Sequence, residues 1–393
     1  MNELYKSKII IVFAFLLIAL TSCQNGSKAP SPNPPTDATK NHQQPVATTP
    51  TTPDHTPMGT VTAVRLADHK IGWVGGEGWI ARTDDGGVNW SAQYKGSGTI
   101  HQLFALNAKE AWATLNEASS QSGSLGLLSS ADGGQHWSLT GKVPNKGFLH
   151  FVSSREAFSG NARTTDGGKT WSMLAVPKNA AGDAYFHDKD NGWVVTRGNN
   201  TVRFERTVDG GKTWKIVMTR KTAAPINGTL IRSSGVNDAW VELIGDTGMT
   251  QTSYSLFHTL DGGRSWLTVI VKSTAGGGPA PGFPADYTGG PSIAGNSPGP
   301  LYVVNPTVAF IGGRCNACDK PNTIGWTKDG GKTLTNGNVA LTGFGPAFIA
   351  FADPSYGWWI TTDNTEPSIL YTSVDGGKTW KKTHQFDKPK PTS

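Results

Sequence analysis

The sequence predicts an all-β fold, a seven-bladed β-propeller of four-stranded antiparallel blades, and two observations support this prediction. The first is an eight-residue phrase, Thr83-Asp-Asp-Gly-Gly-Val-Asn-Trp90 at its first occurrence, that returns seven times along the 393 residues. The second is a short phrase such as Gly72-Trp73-Val74, a small residue followed by an aromatic one, that stands ahead of each eight-residue phrase. A unit that recurs with this spacing is typical of propellers and solenoids.

The eight-residue phrase has the chemistry of a turn between two strands. Its Asp tolerates turn conformations and can accept backbone N–H bonds, its two glycines reach positive φ, and its Trp supplies a large apolar area. A calcium-binding loop is the alternative, but such a loop needs oxygen ligands at alternate positions, which the repeated Gly-Gly removes. We therefore expect a structural role for the seven aspartates at the third position: Asp85, Asp132, Asp166, Asp209, Asp261, Asp329 and Asp375.

Each repeat supplies four strand-like segments, which is the content of one propeller blade. Residues 58–388 shared among seven repeats give about 47 residues each, close to the usual blade length. Leu334 replaces the Trp of the sixth phrase, so we expect the sixth blade to be the least regular. Trp79, Trp326 and Trp359 stand outside both recurring phrases and are expected to be the less constrained tryptophans.

The N-terminal region has the pattern of a bacterial lipoprotein. Lys6 and Lys8 precede a short apolar run, and Leu20-Thr-Ser-Cys23 resembles a lipobox, in which the cysteine is lipidated. The apolar run is too short to be a comfortable transmembrane helix. We expect residues 1–22 to be a signal peptide, Cys23 to carry lipid, 23–57 to be a disordered Pro/Thr-rich tether, 58–388 to be the propeller and 389–393 to be a tail. The expected location is extracytoplasmic, on the bacterial membrane.

The net charge and the cysteine content limit which partners and ligands are expected. The net charge of +6 is not concentrated in a Lys/Arg-rich run, and no nucleic-acid motif is present, so nucleic acid is not an expected partner. Cys315 and Cys318 lack the further ligands of a structural zinc site, so a disulfide is the expected state in an exported protein. No metal or cofactor is predicted. The expected partner is an unknown envelope protein or glycan, and the chain is expected to be a monomer.

Two sets of residues are candidates for partner binding. The first lies in the irregular stretch Ser273–Pro300, where Phe283 and Tyr287 are the strongest contact-makers, although the stretch could also be a tolerated surface insertion. The second contains Arg82, Arg163 and Arg206, which stand three residues before a repeated Asp. They predict a contact patch, or else guanidinium stems that pack between repeats.

The repeated phrase is the Asp box of the bacterial neuraminidase repeat. Together with the Gly-Trp phrase after an acidic turn, as in Asp190-Asn-Gly-Trp193, it makes residues 58–388 resemble the photosystem II stability/assembly factor-like branch of Asp-box propellers. The resemblance implies a seven-bladed propeller that binds proteins and assists assembly, with no catalytic site. The large inserts in the fifth and sixth repeats depart from the pattern of these relatives.

Two enzyme families also carry the box. Sialidases have an Arg-Ile-Pro motif ahead of the first box, where this chain has Arg65-Leu66-Ala67. Xyloglucan-hydrolysing relatives use two propellers, and this chain has the length for one. We therefore expect a non-catalytic envelope lipoprotein that acts as a binding or assembly scaffold, with no catalytic residues. A carbohydrate-binding or glycoside-hydrolase propeller is the alternative.

Overall fold

A computed structural model of the chain describes residues 56–116 and 123–390, in which every regular element is a β-strand. The expected signal peptide, Cys23 and nearly all of the expected tether lie outside the described residues. No helix in the described part is long and apolar enough to cross a bilayer. The strands form antiparallel sheets in simple chain order, which is the arrangement of a β-propeller.

The first sheet has six strands instead of four. It contains β1 (Val61–Leu66), β2 (Gly72–Thr83), β3 (Ser91–Ala105), β4 (Ala111–Asn116), β5 (Leu125–Ser130) and β6 (Ser138–Val143). The long strand β3 joins the first two repeats, because Ser91–Lys95 pair with β2 whereas Thr99–Ala105 pair with β4. The first and second boxes therefore belong to one sheet.

The other five sheets have four antiparallel strands each. The second contains β7 (Leu149–Phe151), β8 (Ala157–Ser159), β9 (Ala162–Thr164) and β10 (Ser172–Met173). The third contains β11 (Tyr185–Phe186), β12 (Gly192–Gly198), β13 (Thr201–Thr207) and β14 (Lys215–Lys221). The fourth contains β15 (Gly228–Arg232), β16 (Ala239–Thr247), β17 (Thr252–Thr259) and β18 (Leu267–Lys272). The fifth contains β19 (Ser297–Asn305), β20 (Val308–Arg314), β21 (Asn322–Thr327) and β22 (Thr335–Leu341). The sixth contains β23 (Ala347–Phe351), β24 (Gly357–Thr361), β25 (Ile369–Ser373) and β26 (Lys381–Gln385).

The prediction of seven four-stranded blades is wrong, because the described residues form six sheets. That prediction equates each of the seven boxes with a separate sheet. The physical reason for the difference is the continuity of β2 and β3, whose hydrogen-bond ladder runs through the Glu77–Thr99 pair from the first repeat into the second. The all-β propeller class and the antiparallel pairing are confirmed.

Every box is bonded to the turn between the first two strands of its own repeat. The amide of the first box glycine donates to a carbonyl of that turn in all seven repeats, as Gly210 does to Asp190 over 2.9 Å. Both box glycines have positive φ, 73° at Gly210 and 86° at Gly211, which a residue with a Cβ adopts only with strain. Boxes and these turns therefore share one end of the ring, here called the box face.

The opposite end of the ring is here called the loop face. Because neighbouring strands run in opposite directions, this end carries the hairpins between the second and third strands of each repeat. It also carries the linkers that join one repeat to the next. The stretch predicted as an irregular insert over 273–300 is one of these linkers, although β19 already begins at Ser297.

The ring closes through contacts between the first and last sheets. The amide of Val61 donates to Ser368 Oγ over 3.1 Å, and the amide of Asp387 donates to the Met58 carbonyl over 2.9 Å. Trp79 stacks on Phe386 with 6.2 Å between ring centroids. Trp79, Trp326 and Trp359 are all buried, so the three tryptophans expected to be less constrained are core residues.

Candidate functional site

The carboxylate of each box Asp accepts hydrogen bonds from its own box. Asp209 accepts from the Thr207 hydroxyl at 2.8 Å, from the Thr213 amide at 2.9 Å and from the Thr213 hydroxyl at 2.6 Å. These bonds, the Thr213 hydroxyl first, lower the pKa of Asp209 to about 2. Equivalent bonds form at Asp85, Asp132, Asp166, Asp261, Asp329 and Asp375. The bonding pattern shows how the Asp holds the turn on the box face.

Three of the seven side chains that stand three residues before a box Asp connect neighbouring repeats. Arg206 Nη1 donates to the carbonyl of Gly262, the first glycine of the next box, over 3.2 Å. The same contact joins Arg82 to Gly133 at 2.9 Å and His258 to Gly330 at 2.8 Å. Each of these three side chains also packs over the buried Trp of its own repeat. The distance to the Trp ring centroid is 4.9 Å for Arg82 and Trp73, 5.3 Å for Arg206 and Trp193, and 3.8 Å for His258 and Trp240.

The arginines predicted as a contact patch therefore have intramolecular partners. Arg163 forms an ion pair with Glu156, with Nη2 at 2.7 Å from Oε1. Arg82 and Arg206 occupy the inter-repeat position, which is the packing arrangement that the sequence left open. Burial lowers the pKa of Arg206, as expected of a guanidinium that is partly withdrawn from water. A binding role for the three arginines stays a prediction.

The insert between β18 and β19 has a fixed base and an exposed tip. Phe283 is only 2% exposed and stacks on Phe257 with 5.8 Å between ring centroids. Arg220 lies 4.3 Å from the Phe283 ring and donates from Nε to the Gly282 carbonyl over 2.7 Å. Tyr287 lies against Phe283 at 4.5 Å and is 38% exposed. Of the two predicted contact residues of the insert, Tyr287 is at the surface and Phe283 anchors it.

Three exposed apolar side chains mark the loop face near the insert: Met249, Tyr287 and Phe344, here called the loop-face patch. Met249 is 100% exposed on the β16–β17 hairpin and Phe344 is 54% exposed on the β22–β23 linker. The β16–β17 hairpin is bonded to the insert, since the Gly276 amide donates to the Gln251 side chain. The patch therefore includes loops that support one another.

Arg314 extends this support across the fifth repeat. Its Nη1 donates to the Gly345 carbonyl over 2.7 Å, and its own carbonyl accepts the Asn296 amide at 2.7 Å. Cys315 and Cys318 form a disulfide in the adjoining β20–β21 hairpin. Hydrogen bonds to Arg314 therefore connect the insert, the disulfide hairpin and the linker that carries Phe344.

A central cavity of about 850 Å³ runs between the innermost strands of the repeats. Its lining includes the basic side chains of Arg65, Lys146 and Arg232, together with several aromatic rings. Asp183 is the one carboxylate in the described lining. His150 stacks on Tyr185 with 5.0 Å between ring centroids, and Tyr185 donates its hydroxyl to the Ser233 carbonyl over 2.9 Å. The cavity is thus both basic and aromatic.

The sequence reasoning did not identify this cavity. Arg65 and Arg232 occupy equivalent places on β1 and β15, because they pair with Trp73 and Trp240, the aromatic residues of the recurring short phrase. Aligning the innermost strands on that phrase would have brought the two arginines into one layer. Glu242, buried beside this layer with its pKa raised to about 8 by burial, carried no sequence signal.

No group of three or more His, Cys, Asp or Glu side chains within residues 56–116 and 123–390 is arranged to hold a metal ion.

Comparison with known proteins identifies the repeat and the solved structures that have a similar fold. The profile of the BNR/Asp-box repeat family matches residues 162–173 and 371–382, so the chain carries BNR/Asp-box repeats. No curated protein sequence matches the chain significantly. Among solved structures, YCF48 from Cyanidioschyzon merolae is 16% identical with a TM-score of 0.48, over 81% of this chain and 94% of that one.

Two further structures show the breadth of the likeness. YCF48 bound to a D1 peptide is 15% identical with a TM-score of 0.45, over 81% of this chain and 91% of that one. A structure from an analysis of two prolyl endopeptidases is 11% identical with a TM-score of 0.51, over 84% of this chain and 50% of that one. At these identities the shared property is the fold.

Proposed function

We propose that this chain is a non-catalytic protein-binding scaffold that engages its partner through the loop-face patch. The observation that carries the proposal is the exposure of Met249, Tyr287 and Phe344 on loops bonded to a rigid ring. Met and aromatic side chains are enriched in protein–protein interfaces, and binding residues often lie on loops that a stable scaffold positions. Single exposed apolar residues are ordinary, and the box face carries several valines. The loop-face patch differs because it presents a Met and two aromatic side chains, the types enriched in interfaces.

The insert is suited to binding without a large ordering cost. The Phe283 ring packs against both Phe257 and Tyr287, and the Arg220 guanidinium lies 4.3 Å from its centroid. The backbone is held as well, because the Ala223 amide donates to the Phe283 carbonyl over 2.9 Å. A loop fixed before binding loses less conformational entropy when the partner arrives, so more of the contact energy contributes to affinity.

Location in the cell envelope is part of the proposal and rests on the sequence. A lipid on Cys23 would hold the chain at the membrane, and the Pro/Thr-rich residues up to 57 would separate the propeller from it. YCF48, whose structure holds a D1 peptide, shares only the fold with this chain. The proposal therefore names a protein partner by the chemistry of the patch, an apolar surface with aromatic character.

The central cavity gives little support to a glycoside hydrolase. Such enzymes need two carboxyl groups that face one reaction site. Among the described residues that line the cavity, Asp183 is the one carboxylate, whereas the lining contains the Lys and Arg side chains of Arg65, Lys146 and Arg232. The hydrolase remains the alternative to be tested, by assaying the purified chain on sialosides and xyloglucan.

A patch variant with a matched control tests the proposal. The variant Met249→Ser, Tyr287→Ser, Phe344→Ser removes the three apolar side chains of the loop face. The control Val88→Ser, Val208→Ser, Val374→Ser removes three exposed apolar side chains of the box face. We expect the first variant to lose the proteins that co-purify with the tagged chain from its own membranes, and the control to retain them. Equal retention by both variants would show that the patch is not the binding surface.

A further inference from the structure

Two arginines that line the central cavity, Arg65 and Arg232, form no ion pair with any described residue. Arg65 lies 4.4 Å from the centroid of Phe104, and Arg232 lies 3.7 Å from that of Phe148. Arg65 Nε is buried and has no hydrogen-bond partner within residues 56–116 and 123–390. Both side chains are only partly exposed to solvent, and the hydrogen bond from Arg232 Nη1 to the Ile231 carbonyl supplies no negative charge. A positive charge that is partly withdrawn from water without a counter-ion favours the binding of an anion.

The titratable groups that line the cavity or interact directly with Arg232 compensate little of this positive charge. Burial lowers the pKa of Arg232 to about 10, which still leaves it protonated at neutral pH. Burial also raises the pKa of Glu242, the carboxyl group that interacts with Arg232, and this disfavours the charged form that would serve as its counter-ion. Desolvation lowers the pKa of His150 to about 4, so the imidazole is neutral. Lys146 adds a further positive charge to the lining, and Asp183 lies on an exposed segment of it.

The same cavity offers flat apolar surface and an unused polar atom. His150 and Tyr185 lie nearly parallel, with 9° between their planes, and Phe148 stacks on His150 at 6.1 Å. His150 Nδ1 is buried and has no partner among the described residues. A volume of about 850 Å³ is within the range of pockets that hold small organic ligands. The lining thus combines charge, ring surface and a free hydrogen-bonding atom.

We propose that the central cavity binds a small carboxylate with an aromatic body, whose carboxylate interacts with Arg65 and Arg232 and whose ring packs on the aromatic lining. Guanidinium groups match the geometry of carboxylates and can bind them through paired hydrogen bonds. This site is separate from the loop-face patch and does not depend on a protein partner there. A free metabolite and the C-terminus of a protein that ends in an aromatic residue both offer this chemistry.

Calorimetric titration of the purified chain tests the site with four probes. They are 3-phenylpropionate, its neutral amide 3-phenylpropionamide, acetate, and a tetrapeptide that ends in Phe with a free carboxylate. We expect 3-phenylpropionate to bind at least tenfold more tightly than the amide or acetate. If the tetrapeptide binds more tightly still, the ligand is a protein C-terminus, and if it binds more weakly, the ligand is a free acid. Binding by neither carboxylate, or equal binding of the amide, would overturn the proposal.

Apolar isosteres separate a binding role from a structural one. Arg232→Met and Arg65→Met should each weaken 3-phenylpropionate binding at least tenfold. Both variants should keep or gain thermal stability without ligand, since an apolar side chain often replaces a partly buried charge without loss. Arg206→Met is the matched control, because Arg206 also covers an aromatic ring but lies outside the cavity lining. If the cavity variants bind like the parent chain, the arginines are structural and the proposal is wrong.

Discussion

Arg206 of the fourth repeat donates a hydrogen bond to the carbonyl of Gly262 in the box of the fifth repeat, so one side chain joins two neighbouring sheets. Its Nη2 also bonds the Val236 carbonyl and the Asn237 side chain, at 2.9 Å each. The box therefore does more than close its own hairpin. The carbonyl of its first glycine is an acceptor for the preceding repeat, and the ring gains a polar contact that complements the apolar packing between sheets.

Arg206→Ala should lower the stability of the ring. The substitution removes three hydrogen bonds and the contact with Trp193, and we expect a loss of roughly 1–3 kcal/mol in the free energy of unfolding. Urea denaturation measures the change. Arg264→Ala is the matched control, because Arg264 is exposed and its hydrogen bond, to the Asp261 carbonyl, lies within its own box. Unchanged stability with weakened partner capture would instead assign Arg206 to a binding surface.

The box aspartates should make the fold sensitive to acid. Hydrogen bonds from Thr379, side chain first, lower the pKa of Asp375 to about 2, below its ordinary value of 3.8. Because the folded-state pKa is the lower one, the stabilisation is fully present above pH 3.8 and is lost as the pH falls towards 2. The stability difference between the parent chain and Asp375→Asn should therefore shrink over that interval, as followed by denaturation at several pH values. Asp286→Asn controls for the removal of one carboxylate outside the boxes, and a constant difference for Asp375→Asn would contradict the account.

Glu242 should produce the opposite pH dependence. Burial raises its pKa from 4.5 to about 8, with Arg232 opposing the change. The folded chain thus holds this proton while the unfolded chain releases it, so stability falls as the pH rises from 4.5 to 8. A tenfold change in an acid dissociation constant corresponds to about 1.4 kcal/mol, so the total effect is of the order of a few kcal/mol.

Glu242→Gln removes the titrating group and should flatten that part of the stability curve. Below pH 4.5 we expect the stability of the variant and of the parent chain to change with pH in nearly the same way. Towards pH 8 the variant should become the more stable of the two, relative to their difference at low pH. Thermal unfolding across this range measures the effect. Parallel curves for the two proteins would show that Glu242 does not titrate in this interval.

The double variant Cys315→Ser, Cys318→Ser should keep the propeller folded. The disulfide spans three residues, and closing so short a loop removes little chain entropy, about 2 kcal/mol or less by the loop-closure argument. Circular dichroism and a melting curve check the expectation. Unfolding of the double variant would mean that the hairpin supports the loop face far more strongly than its length implies.

Local chemistry made the boxes and the fold class predictable from the sequence. Asp and Gly-Gly have fixed places in all seven turns and Trp in six of them, and the structure shows their bonds within a few residues. The number of sheets was not predictable, because it depends on whether the hydrogen-bond ladder stops between repeats. The Glu77–Thr99 pair continues that ladder, and nothing in the composition of 91–105 indicates it.

The candidate sites were predictable only in part. Tyr287 was identified because a long irregular insert stands out among regular repeats, but the burial of Phe283 depends on Phe257, a residue of strand β17 that lies outside the insert. The basic cavity was not predictable because Arg65 and Arg232 are 167 positions apart in the sequence and line one cavity only when the ring closes. The burial of Phe283 and the formation of the basic cavity both depend on contacts between residues far apart in the sequence.

The most direct test of the central claim, that the loop face binds a protein, is photo-crosslinking in the native host. A photoreactive amino acid is placed at Tyr287 on the loop-face patch and, as the control, at Val374 on the box face, which is also exposed. We predict a discrete, light-dependent adduct with one protein from position 287 and none from position 374. The same adduct should disappear when Met249 and Phe344 are changed to Ser. Adducts from position 374 alone, or from neither position, would contradict the account.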